Sequence, residues 1–179
     1  MTIKVTKNFA SLRGKLPIIQ QKYLQRAPPI IKELLLSSFK VGISPVKNGR
    51  WDVPYSESYQ AAIRGLVTFR MIKGTRKLLA MPFPDPAIFG FGKTVSPVNL
   101  KLSGQLYNDL RVEPKGNAIL VHFVGDSDRI ANYHNKEGAG KKKAIRQIMP
   151  SESGQTFNEH ITNKLNDILY SVVINVIKE

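Results

Sequence analysis

Four places in this 179-residue sequence have residue types that do chemistry elsewhere. Phe91-Gly92-Lys93-Thr94 has the end of a phosphate-binding loop. That loop needs a glycine five positions before the Gly-Lys-Thr, followed by a helix; Ala87 stands there instead and prolines surround the tract. His122, His134 and His160 have neither the HExxH spacing nor the neighbouring carboxylates of a metal site. Ser103, Ser151 and Ser153 lie in no nucleophile-elbow sequence, and acidic residues are scarce. With no cysteine, thiolate catalysis, disulfides and Cys-based metal centres are excluded. The sequence therefore predicts no enzyme, no catalytic residue, no metal and no cofactor.

Charge remains. Lys and Arg number 27 against 13 Asp and Glu, a formal +14 at pH 7. Such a field favours anionic partners: nucleic acid, an acidic protein surface or a membrane surface. The charges concentrate twice. Gly138-Ala139-Gly140-Lys141-Lys142-Lys143, followed by Arg146, reads as a flexible basic loop whose cations meet phosphates or acidic side chains as point charges. A solvated loop without a partner has the same composition. The second tract, Arg64 to Lys77, carries Arg64, Arg70, Lys73, Arg76 and Lys77 and no acid. No aromatics alternate with the loop lysines, so base stacking on a single strand is not indicated.

The elements that would position these groups are readable in part. Leu12, Leu16, Ile19, Tyr23 and then Ile31, Leu34, Leu35, Phe39 recur at helical spacing. Pro28-Pro29 interrupts them, and a proline inside a helix costs about 3 kcal/mol, so two helices, or one sharply kinked, are predicted, with Gly42 as the stop. Val41 to Ser58 reads as a loop pinned by Trp51 and Tyr55. Leu66 to Lys73 suits a strand, and Met81 to Pro97, rich in Pro and Gly, suits an exposed loop; together 66–96 is expected to protrude as an arm, with Phe69, Phe83, Phe89 and Phe91 touching a neighbouring subunit. Leu100, Leu102, Leu106 and Leu110 suit a short helix. Leu110–Glu113 and Ala118–Val124 then predict a hairpin, and Asp126-Ser127-Asp128 the cap of a helix through His134.

Phe157, Ile161, Leu165, Ile168, Val172 and Val176 step by four, four, three, four and four, predicting a long C-terminal helix that starts near Thr156, with Glu159 completing a capping box. The expected fold is α+β, a single domain over 1–179: a small antiparallel sheet packed by N-terminal helices and the long C-terminal helix, with an extended loop or arm inserted mid-chain. No apolar run approaches the roughly 18 residues of a membrane span, and Met1 to Phe9 lacks a signal peptide's apolar stretch, so the protein is expected to be intracellular where it is made.

The order of several short segments resembles a known family. Gly42-Ile43-Ser44-Pro45-Val46, Tyr55-Ser56-Glu57-Ser58-Tyr59, the run Pro97 to Leu106 with its Leu-Ser-Gly-Gln-Leu, Ala131-Asn132-Tyr133-His134-Asn135, and Arg146-Gln147-Ile148-Met149-Pro150 before a terminal helix look like the tail-completion or virion morphogenesis proteins of tailed bacteriophages. The tract from Leu66 to Ser96 departs from that pattern. The resemblance implies a structural virion protein at the head–tail junction, a neck, tail-terminator or head–tail joining subunit. It would be made in the host cytoplasm and assemble as a ring homo-oligomer, a hexamer, between portal-side or neck proteins and tail tube proteins. It implies no membrane partner and no enzymatic site. On that view Lys141, Lys142, Lys143 and Arg146 lie at an interface or face the lumen where packaged DNA passes. The alternative is a non-specific basic DNA-binding protein in which the charge is itself the function.

Overall fold

The computed structural model describes residues 8–47, 49–51, 54–55, 57, 60, 67–72, 75–80, 105–138, 145–150 and 154–179, with the backbone alone at 8–11, 67–72 and 75–80. In chain order these form helix α1 (Asn8–Val41), strands β1 (Val67–Ile72) and β2 (Thr75–Ala80), helix α2 (Gln105–Asn108), strands β3 (Leu110–Lys115) and β4 (Ala118–Phe123), helix α3 (Asp126–Asn132), a π-helical turn (Tyr133–Glu137) and helix α4 (Glu159–Lys178). The class is α+β, with α1 and α4 against the β3–β4 sheet.

One helix stands where the sequence predicts two helices or one sharply kinked. α1 runs through Pro17, Pro28 and Pro29. Packing on both sides of the proline pair accounts for this. Upstream, Ile19 is buried against Val172 and Val176 of α4. Downstream, Ala27, Ile31, Leu35 and Phe39 form the ridge of the main core. Each large apolar side chain buried contributes roughly 1.5–3 kcal/mol, so several together outweigh a proline cost of about 3 kcal/mol. Pro28 is itself buried. The helix ends where expected. Gly42 takes φ 74°, Gly42 N donates to Phe39 O (3.3 Å) and Ile43 N to Ser38 O (2.9 Å), the paired bonds of a Schellman cap.

The β3–β4 hairpin follows its alternation. Leu110 pairs with Phe123, Val112 with Val121 and Pro114 with Ile119. Leu110 and Phe123 are buried in the α1 core, with Val112, Val121 and Ile119 packed beside them. Gly116, at φ 58°, makes the two-residue turn with Asn117. The preceding helix is shorter than its leucine spacing predicts: α2 is a single turn, Leu110 belongs to β3, and 100–104 lie outside the described residues.

Two expected caps are replaced. α3 begins after Gly125 with no side-chain cap; Asp126 and Asp128 lie in its first turn, where carboxylates complement the helix dipole. Ser127, fully buried, donates to Asp109 Oδ2 at 2.7 Å. At α4 the N-cap is Asn158, two residues after Thr156, and its Oδ1 accepts from Ile161 N at 3.1 Å. The apolar face of α4 is as expected: Ile161, Val172 and Val176 are buried and Leu165 and Ile168 partly so. Lys15 Nζ donates to Val176 O (2.8 Å) and Lys22 Nζ to the Glu179 carboxylate (2.7 Å), joining the end of α4 to the first half of α1.

The expected strand at 66–73 is β1, and it has a partner that the sequence did not reveal. β2 pairs with it antiparallel, from Val67↔Ala80 to Ile72↔Thr75. Among the described residues this two-stranded sheet is separate from β3–β4. Residues 81–96, the rest of the expected arm, lie outside the described residues.

Candidate functional site

Three of the short segments that carry the family resemblance meet in one place. The stretch 145–150 runs between the π-helical turn and the loop after α1. On one side Asn135 Oδ1 accepts from Ile148 N (2.7 Å) and Met149 N (3.1 Å), and His134 O accepts from Arg146 N (2.8 Å). The π-turn closes with Gly138 N donating to Tyr133 O at 2.7 Å, and Gly138 takes φ 77°. On the other side Ser44 Oγ donates to Gln147 O (3.0 Å) while accepting from Val46 N and Lys47 N. Trp51 Nε1 donates to the same Gln147 carbonyl at 3.4 Å, and its ring stacks on Phe39 with centroids 6.3 Å apart. Asn158 completes the joint: its Nδ2 donates to Ser44 O (2.8 Å) and its N–H to Pro45 O (2.7 Å).

Each of these bonds engages a backbone N–H or carbonyl, so the joint supplies partners for main-chain groups in and around the core. The joint fixes three segments to one another and offers no reacting atom. Ser127 beside Asp109 is a hydroxyl–carboxylate pair, but Ser127 is fully buried and among the described residues no histidine joins the pair. Among the described residues no group of three or more His, Cys, Asp or Glu side chains could hold a metal ion. His122 Nε2 instead pairs with Glu113 Oε1 across β3–β4 at 3.2 Å, and His160 is exposed in the first turn of α4.

The expected contact residues fare differently. Arg146, expected on an exposed loop, is only 3% exposed, with its guanidinium over the Tyr55 ring at 5.1 Å from the centroid. Its planar cation packs on an aromatic face that the loop after α1 brings to it, so it ties the joint and does not belong with the loop lysines. Lys141, Lys142 and Lys143 lie outside the described residues, as do Arg64, Lys73, Phe83, Phe89 and Phe91. Phe69 and Arg70 lie on β1, and Arg76 and Lys77 on β2. Trp51 and Tyr55 pin their loop as expected.

The sequence reading missed a second apolar face on α4. Leu169, Tyr170 and Ile177 are 41%, 70% and 51% exposed, with Ile174 half-buried beside them. The spacing was available: Leu169, Val173 and Ile177 step by four, as do Tyr170 and Ile174, parallel to the buried row. Across α1, Lys22, Arg26, Asn175 and Lys178 line a polar groove of about 380 Å³. The Lys22 ammonium, hydrogen-bonded to Glu179, holds that carboxyl below its ordinary range. No helix among the described residues is long and apolar enough to cross a membrane. No protein-family model, curated protein or solved structure matches the chain.

Proposed function

We propose that this chain is a ring-forming structural subunit that joins head to tail in a tailed bacteriophage, as a neck, tail-completion or tail-terminator protein. The observation that carries the reading is the outer face of α4. A helix apolar on both sides is a buried helix, yet here one side packs on α1 and the other leaves Leu169, Tyr170 and Ile177 uncovered. In a ring each subunit presents one face to a different face of the next, and this stripe is suited to such a contact. The joint around 145–150 supports the same reading. The segments that resemble the phage family hold a scaffold together, as expected of a protein whose task is position.

Particles produced without this protein test the proposal. Filled heads and finished tails should accumulate unjoined, and added wild-type protein should join them. Tyr170→Glu with Ile177→Glu should keep the fold, fail to form rings by native mass spectrometry and fail to join. Normally joined particles in the absence of the protein would sink the idea.

A further inference from the structure

The β1–β2 hairpin holds an arrangement that the linear sequence does not display. Its register sets Arg70 directly opposite Lys77. Directly opposed residues of an antiparallel pair have Cβ atoms about 5 Å apart on the same face, where like charges destabilise the pairing. Arg76 is opposite Met71, and by the two-residue alternation of strands it lies on the other face, with Phe69 and Leu78. The five cations from Arg64 to Lys77 are thus not one equivalent patch. Two of them stand at one register position, between the Thr68–Leu79 and Ile72–Thr75 pairs of the same face, and no acidic residue occurs from 64 to 80.

We infer that the β1–β2 hairpin is a ribbon that binds the phosphate backbone of duplex nucleic acid through the Arg70–Lys77 pair. The tract from 64 to 80 supplies no acidic residue, and a row of phosphates offers an anion on each side. A two-stranded ribbon has the width that the DNA major groove admits, and its strands are about 4.8 Å apart. A duplex is favoured over a compact acidic protein site because a formal net charge of +14 favours an extended polyanion. Hydroxyls at Thr68 and Thr75 share the face of the pair and add neutral phosphate donors. The inference stands apart from ring assembly: a chain that binds duplex but forms no ring leaves it intact and sinks the other proposal.

The test uses the full chain and a fluorescent mixed-sequence duplex of about 20 base pairs, with anisotropy read between 50 and 200 mM salt, about the range over which phosphate contacts dominate affinity. Arg70→Gln with Lys77→Gln should reduce the slope of log K against log salt by about 1.8, at about 0.9 per phosphate released, and weaken binding at least ~10-fold. Arg76→Gln should leave the slope within about 0.5 of wild type, because its face differs. Arg70→Lys with Lys77→Arg should restore the slope, which separates charge from damage to the fold. The inference is overturned if no duplex binding is found at 50 mM salt, if the double variant keeps the wild-type slope, or if Arg76→Gln lowers the slope as much per charge as the pair does. Loss of binding to an acidic protein with duplex binding unchanged overturns it as well.

Discussion

Among the described residues there are two antiparallel hairpins of equal strand length, and their cross-strand pairs differ in kind. β3–β4 sets Leu110 against Phe123 inside the core, under the Phe39 end of α1, and extends its ladder when Val124 N donates to Asp109 O at 3.1 Å. β1–β2 has the same six-residue strands and a two-residue connection, but at its middle an arginine opposes a lysine. Where β3–β4 carries a His122–Glu113 pair across its exposed face, β1–β2 carries like charges. An isolated two-stranded hairpin is marginal in water, and β3–β4 gains its stability from the α1 core. Similar backbone geometry thus serves as scaffold in one place and, on the inference above, as a contact surface in the other.

Matched truncations break this comparison most sharply. Leu110→Ala removes a fully buried side chain and should lower unfolding stability by about 2–5 kcal/mol, whereas Leu78→Ala in β2 should change it by less than about 0.5 kcal/mol, both read from urea midpoints. Equal losses would mean that β1–β2 is bound into the same core. A smaller effect sharpens the contrast. Lys77→Glu places opposite charges at the register position facing Arg70 and should stabilise the hairpin by about 0.2–1 kcal/mol, seen as slower hydrogen exchange at the β1 and β2 amides while duplex affinity falls. Faster exchange would contradict the register.

The smallest effect at neutral pH concerns the anchor of β3–β4. Tyr107, just before β3, lies against Phe39 with centroids 6.1 Å apart, and burial pushes its hydroxyl up to about 12. Among the described residues that hydroxyl is buried with no hydrogen-bond partner. The folded state keeps the proton where the unfolded chain, near 10, has lost it, so this group's contribution is intact below pH 10 and declines as pH rises from about 10 to about 12. Tyr107→Phe should leave stability at pH 7 nearly unchanged and flatten the alkaline decline. Identical pH profiles for the two proteins would show that Tyr107 is not the cause.

The contrast between the hairpins also marks what a sequence discloses. β3–β4 was legible because its alternation, its glycine turn and its apolar pairs are all local, and the same holds for the four-residue steps of α4. β2 was not, because Arg76-Lys77 dominate the composition of a six-residue strand and drew the reading toward a charged tract. The sequence left two helices and one kinked helix open for α1, since the burial that offsets Pro28-Pro29 comes from α4 and from β3–β4, far along the chain. Arg146 looked like one more loop cation until Tyr55, distant in sequence, appeared beneath it. Asn158 obeys the same capping rule that selected Thr156, and only its bonds to Ser44 and Pro45 decide between them. In the joint, the residue types were visible but the convergence was not.

The bond from Lys15 Nζ to the carbonyl of Val176 spans 161 positions. A ribosome adding about 5–20 residues per second needs roughly 8–30 s between those two residues. For the later part of that interval the first half of α1 is outside the ribosome while Ile19 still lacks Val172 and Val176. The nascent helix is therefore a window of vulnerability, open to chaperones and to premature pairing with other growing chains, and translation speed becomes a determinant of yield.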